Sequence, residues 1–261
     1  MTPVLSFSDL FSATIAGARQ IAVPTLGFAA AFVAAIALMV WGAEMFPQST
    51  AGSIGFLLVV MAAVTSHSLF SAAMYRRLVP VEGTLLNATW KLTLAWILIA
   101  VVAAILFTTI VLFFSLIGSS LGVVSGEAGQ DITDMTAQMR EGGTFYPLFA
   151  LFLLTLLGVF WFVVRMMLFA AATASRGTVH VFRTWSWTKG YALSMAIGAM
   201  TFIVLPASFL GYASSSVMGL SQSAAISAGI VALVQLPAAW LGHAYAAAVY
   251  TRLAPNDPAT S

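Results

Sequence analysis

The sequence predicts an all-α polytopic membrane protein, one transmembrane domain over 1–261, and three observations carry that prediction. Of its 261 residues, 61% are hydrophobic and only 7% charged, with a mean hydropathy of +1.01. That leaves too few charges to give soluble helices a polar face. The stretch 23–41, VPTLGFAAAFVAAIALMVW, holds no charged side chain and is long enough to cross hydrocarbon at about 1.5 Å per residue. Runs of the same character recur at 54–74, 95–117, 148–168, 193–212 and 226–249, which gives six transmembrane helices.

Before the first span, segment 7–21 repeats apolar residues at Phe7, Leu10, Phe11, Ile15, Ala18 and Ile21, with Ser, Asp, Thr and Arg in much of the remainder. This pattern fits a helix lying in the membrane interface, with Pro24 placed where it can bend into the bilayer. A frayed terminus is the plainer alternative. The first span starts too late and runs too long for a cleaved signal peptide, and further spans follow, so it reads as a retained helix.

The second span closes with Ala72-Ala73-Met74-Tyr75-Arg76-Arg77-Leu78-Val79-Pro80, and the sixth with Ala247-Ala248-Val249-Tyr250-Thr251-Arg252-Leu253-Ala254-Pro255. The fourth gives a looser version from Ala170 to Arg176, and Thr89-Trp90 before the third span is echoed by Thr184-Trp185 before the fifth. Small residues permit close helix approach, Tyr and Arg suit the headgroup belt, and Pro ends the helix. The similarities suggest three helical hairpins in parallel repeat; convergence on interface-friendly residues is the alternative. The third run begins early, at Leu85, and should start along the interface. Residues 118–146 form the one long polar insertion, with a short helix expected over 131–139. Its Glu127, Asp131, Asp134 and Glu141 match no calcium-loop spacing. In the fifth and sixth spans, Pro206 and Pro237 should kink the helix and free carbonyls that Ser208 or Gln235 can meet.

With the N-terminus inside, Arg19, Arg76, Arg77, Lys91, Arg176, Arg183, Lys189 and Arg252 all fall on the cytoplasmic side and only Arg140 outside. This bias places both termini in the cytoplasm of a cell with an inner membrane, and makes 118–146 a periplasmic loop. The basic residues are dispersed, which favours contact with membrane phospholipids and gives no nucleic-acid tract. There is no cysteine, which excludes disulfides, Cys-ligated metal and thiol catalysis.

Segment 176–190 reads as a second interfacial element. Trp185 and Trp187 can lie among headgroups, Arg183 and Lys189 can reach phosphates, and Gly190 allows the turn into the fifth span. Together with Arg165, the run Arg183-Thr184-Trp185-Ser186-Trp187-Thr188-Lys189-Gly190 resembles the Ser-Trp-x-Leu-Thr-Arg/Lys-Gly signature of bacterial six-helix membrane proteins related to the membrane domain of glycerophosphoryl diester phosphodiesterases. Trp185, Thr188, Lys189 and Gly190 align directly, Thr184 replaces the Ser and Trp187 the Leu; the Pro and Glu often found upstream in that family are missing. The resemblance implies architecture rather than a reaction.

His67, Arg165 and His243 are the conspicuous polar groups within the spans, and Gln235 adjoins the sixth-span kink. His67 precedes Arg76, and His243 precedes Arg252, by nine residues, so both histidines should lie about 13 Å inward from those basic ends. Arg165 has no intramembrane carboxylate to pair with and either snorkels to phosphate or meets an anionic ligand. Thr65, Ser66 and Ser68 flank His67, but neighbouring positions in a helix do not establish attack geometry. No catalytic constellation, metal site or cofactor motif is evident.

The expected function is therefore the organisation or handling of membrane lipid, with Arg165, His67, His243, Gln235, Arg183, Trp185 and Lys189 as candidate ligand contacts. Alternatives are a transporter or channel for a small or lipidic solute, an oligomeric scaffold packing small-residue faces against a second copy or another membrane protein, and an enzyme limited to membrane chemistry.

Overall fold

The computed structural model describes residues 6–46, 49–120, 137, 139–218 and 223–254. Glu127, Asp131, Asp134, Pro255 and most of the expected 131–139 helix lie outside these. All regular structure among the described residues is helical: α1 (Phe7–Ala22), α2 (Leu26–Met45), α3 (Thr50–Leu78), α4 (Leu85–Ser120), α5 (Phe145–Met166), α6 (Phe169–Arg176), α7 (Thr184–Trp187), α8 (Ala192–Ala199), α9 (Leu205–Met218), α10 (Ala224–Val234) and α11 (Leu236–Leu253). A 3-10 turn at Val23–Thr25 joins α1 to α2, and a π-helical turn at Met200–Val204 joins α8 to α9.

Among the described residues, five helical stretches are long and apolar enough to cross a membrane: Phe7–Met45, Thr50–Leu78, Leu85–Ser120, Phe145–Arg176 and Ala192–Ser215. A sixth results if α10 and α11, bent by 44° at Gln235, count as one span. This is the all-helical bundle of a multi-pass membrane protein. Caps fix several starts, with Ser49 accepting from the Gly52 amide at 3.1 Å and Ser223 from the Ile226 amide at 3.5 Å.

The prolines do three different things. Pro24 falls in the 3-10 turn, and α1 and α2 read as a single 39-residue run rather than meeting at a sharp bend. Proline is accommodated there by the change from α to 3-10 winding, which rearranges the ladder around the ring. Pro206 sits in the first turn of α9, directly after the π turn, where the Leu205 amide reaches back to the Met200 carbonyl. Widening the ladder there removes the clash that the ring would make in a regular α-helix. Pro237 opens α11 after the 44° bend.

The chain divides into two compact units, one running to Trp96 and resuming at Val164, the other Ile97–Val163. In the first, α1 packs along α11, and α2 along α3 and α10. Ile21, Ala29, Phe70, Met74 and Leu236 form a buried cluster. The Ala-rich ends of α3, α6 and α11 also pack together, burying Ala72, Tyr75, Ala171, Ala172, Ala174, Ala247 and Val249. These include the alanine motifs that recur in the sequence, and small side chains there let helix backbones approach closely. The tightest approach is at Gly198, where any Cβ would collide with the Tyr245 phenol. Tyr245 is fully buried and donates its hydroxyl proton to the Met195 carbonyl at 3.0 Å.

The basic helix ends are held by carbonyls. Arg76 donates to Gly83 O at 2.9 Å, Arg252 to Ala248 O at 2.7 Å, and Lys91 to Gly177 O. Gly177 caps α6 at φ +61°, in the left-handed region where a side chain would be strained. Arg176 lies 4.6 Å over the Trp187 ring and donates to the Tyr250 hydroxyl at 3.3 Å. The second unit, formed by parts of α4 and α5, exposes many large apolar side chains, among them Ile105, Phe107, Leu112, Leu154 and Leu157.

Candidate functional site

Helix α3 places His67, Ser71 and Tyr75 one turn apart on one face, because four residues advance an α-helix by little more than a full turn. Opposite them α11 supplies His243; α2 adds Phe32 and α4 adds Trp96. The His67 ring lies 5.2 Å from Phe32, 5.0 Å from Trp96 and 6.4 Å from His243. Tyr75 lies 5.2 Å from His243, centroid to centroid. The two histidines, expected at similar depth, are thus neighbours.

Their chemistry differs. His243 has both nitrogens occupied: Nε2 lies 2.8 Å from Ser71 Oγ, and Nδ1 lies 2.8 Å from the Ala239 carbonyl oxygen. A carbonyl only accepts, so Nδ1 carries the proton; Nε2 of the neutral ring is then the acceptor for the Ser71 hydroxyl. Ser71 is fully buried, so the contact ties α3 to α11 as polar side chains commonly do between membrane helices. His67 has only ring contacts, and no described group hydrogen-bonds it. Beside it, Trp96 Nε1 is a buried donor with no partner. Trp240, by contrast, donates its indole N–H to Thr25 Oγ1 at 3.2 Å.

Next to this cluster runs an apolar cleft of about 510 Å³ between α2, α10 and the first turn of α11. Phe32, Ile36, Ala228, Val231, Gln235 and Ala239 are among its walls. Phe32 and Ala239 belong to both places: one stacks near His67, and the other takes the His243 proton donor on its carbonyl. Gln235 bridges the helices around the cleft by donating from Nε2 to the Ala207 carbonyl at 3.0 Å. The carbonyl that Gln235 meets lies one residue beyond Pro206 and is not one that the proline frees, since a helical proline leaves unpaired a carbonyl a turn earlier.

Arg165 lies elsewhere. It is 9% exposed at the end of α5, donates from Nη2 to the Trp185 carbonyl at 2.5 Å, and stacks its guanidinium 4.6 Å above the Trp185 ring. Its Nε is buried without a partner. Arg183, Trp185 and Lys189 are exposed around this turn, and Gly190 turns the chain at φ +86°. The candidate residues therefore fall in three places: His67 and His243 in the bundle interior, Gln235 at the cleft, and Arg165 with Trp185, Arg183 and Lys189 near α7.

Sequence reasoning missed Ser71 and Trp96. Attention rested on Thr65, Ser66 and Ser68, yet Ser68 donates to the Val64 carbonyl of its own helix at 2.8 Å, the usual fate of a hydroxyl in an apolar helix. The available signal was helical phase, since Ser71 lies one turn beyond His67. Among the described residues no three His, Cys, Asp or Glu side chains converge as a metal site would need. Comparison with family models, curated proteins and solved structures found no match.

Proposed function

We propose that this chain handles membrane lipid, holding an apolar chain in the cleft between α2 and the α10–α11 bend. The cleft carries the reading: a concave, apolar groove of about 510 Å³ in a protein whose surroundings are hydrocarbon is suited to acyl chains. In this reading α10 and α11 form one bent span, giving six in three hairpins. Both termini face the cytoplasm of a bacterial inner membrane, as the distribution of Lys and Arg requires. Arg183, Trp185 and Lys189 meet phospholipid headgroups at the cytoplasmic face. The likeness of 183–190 to the membrane domain of glycerophosphoryl diester phosphodiesterase relatives supports this layout and adds no reaction.

The test is lipid retention. Protein purified in mild detergent should retain a selected set of lipids by mass spectrometry. Ala232 also lines the cleft; Ala232→Trp, which fills it, should remove that set, and Arg183→Ala/Lys189→Ala should alter its headgroup distribution. Retention that is unselective in wild type and untouched by Ala232→Trp would overturn the reading. A transport reading draws on one further observation, the 44° break that puts Gln235 at the cleft, because broken helices line substrate paths in many transporters. Flux in liposomes that disappears in Ala232→Trp would favour it.

A further inference from the structure

Arg165 keeps its charge, because a guanidinium does not give up its proton in a protein. It is 9% exposed, and both of its contacts, the Trp185 carbonyl and the Trp185 ring, are neutral. No carboxylate among the described residues pairs with it. The surrounding sequence supplies none: no Asp or Glu occurs between Glu141 and Asp257, a stretch that holds Arg165, Arg176, Arg183, Lys189 and Arg252. A cation so placed is costly until an anion meets it. Nη2 is bonded to the Trp185 carbonyl and Nε is buried, whereas Nη1 is neither hydrogen-bonded nor sealed in. One edge of the fork is therefore open. The same turn exposes Arg183, Ser186 and Lys189, which add positive charge rather than balance it.

We propose that the turn around Trp185 binds the headgroup of a net-anionic phospholipid, with Arg165 Nη1 donating to a phosphate oxygen and Arg183 and Lys189 attracting the same headgroup from the rim. This rests on the reading above that sets the turn among headgroups, and it names the lipid class. The Trp185 carbonyl and ring hold the guanidinium in one plane, so its open edge is oriented before the phosphate arrives. Net charge selects the headgroup. Phosphatidylethanolamine brings its own ammonium, which would stand among Arg165, Arg183 and Lys189 with no carboxylate in 142–256 to receive it. Phosphatidylglycerol brings the same phosphodiester with neutral hydroxyls only, and its single negative charge offsets the cation that the chain leaves unbalanced.

The experiment uses the full chain in mild detergent and measures bound lipid by native mass spectrometry. Dioleoyl phosphatidylglycerol and dioleoyl phosphatidylethanolamine are titrated separately; their tails are identical, so the cleft weighs on both alike. Wild type should bind the glycerol lipid about tenfold more tightly, the effect of one net headgroup charge on the basic residues around it. Arg165→Gln, which removes the charge, should bring the two affinities together, and Arg165→Lys, which keeps the charge but loses the fork, should leave an intermediate preference. Arg183→Ala/Lys189→Ala changes exposed side chains only, so it tests the site even where Arg165→Gln fails to fold; it should narrow the preference and flatten its dependence on salt. Equal binding of the two lipids by wild type, or a preference that survives both in the Arg165 variants and in the double variant, overturns the headgroup site while the cleft reading stands. Inorganic phosphate that displaces the glycerol lipid at millimolar concentration would assign the site to a free anion and overturn the lipid proposal. Ala232→Trp should weaken both lipids and keep their ratio; if it weakens neither, the cleft reading falls and the headgroup site stands.

Discussion

The Ala-rich ends of α3, α6 and α11 and the segment Ile97–Val163 are both apolar, yet they use that character in opposite ways. The first buries Ala72, Ala171 and Ala247 with Tyr75 and Val249; in the second, Phe107 is 67% and Leu116 72% exposed. The difference follows from the solvent. Lipid tails are as apolar as leucine, so burying Leu or Phe against another helix brings no transfer free energy, and close packing falls to small and polar residues. Hydropathy therefore finds the spans without saying which parts of them touch.

Gly198→Leu should break the packed region most severely. With Tyr245 already in the space a Cβ would take, the substitution should cost about 3 kcal/mol or more, measured by thermal unfolding in detergent. If Gly198→Leu unfolds like wild type, the tight packing of α8 on α11 is wrong.

Arg165 sharpens the comparison at the end of α5. Its guanidinium both donates to the Trp185 carbonyl and stacks on that ring, so Arg165→Lys should lose about 1–2 kcal/mol because an ammonium cannot do both in one plane. Unchanged stability in Arg165→Lys would mean that a long cation alone suffices, as for a residue reaching headgroup phosphate.

A smaller effect is expected between α3 and α11. A double-mutant cycle of Ser71→Ala and His243→Phe should give a coupling of about 0.6 kcal/mol, and up to about 1.7, the range found for polar pairs in membrane bundles. A coupling of zero would show that the pair is not formed. Smallest of all, Leu154→Ala in the exposed segment, where Leu154 is 65% exposed, should stay within about 0.5 kcal/mol of wild type. A larger loss would show that this surface is covered by protein in the membrane.

The helices were legible because they depend on composition and period, both local. The continuation of the third run from Leu85, the turn at Gly190 and the similar depth of His67 and His243 all follow from counting along a rod. The contacts that make the interior were not legible in the same way. Arg165 finds a carbonyl twenty residues onward, and His243 finds Ser71 across a separation of 172 residues. Neither distance is a multiple of anything in the chain; both are set by which helices become neighbours. The corner expected at Pro24 gave way to a continuous run because the local 3-10 turn at Val23–Thr25 takes up the proline without a sharp bend.

The π turn at Met200–Val204 has a consequence for how this span can vary in length. An i→i+5 turn is an ordinary helix carrying one surplus residue, wound into a local swelling. Removing a residue elsewhere between Ala192 and Met218 would rotate everything downstream by about 100° and point a different side of α9 at its neighbours. Removing one within the swelling, with Pro206 replaced so that regular winding is permitted, returns the helix to even pitch and leaves both ends in phase. The span thus contains one place where deleting a residue, paired with replacement of Pro206, is geometrically silent, and it lies between the residues clamped by Tyr245 and those held by Gln235.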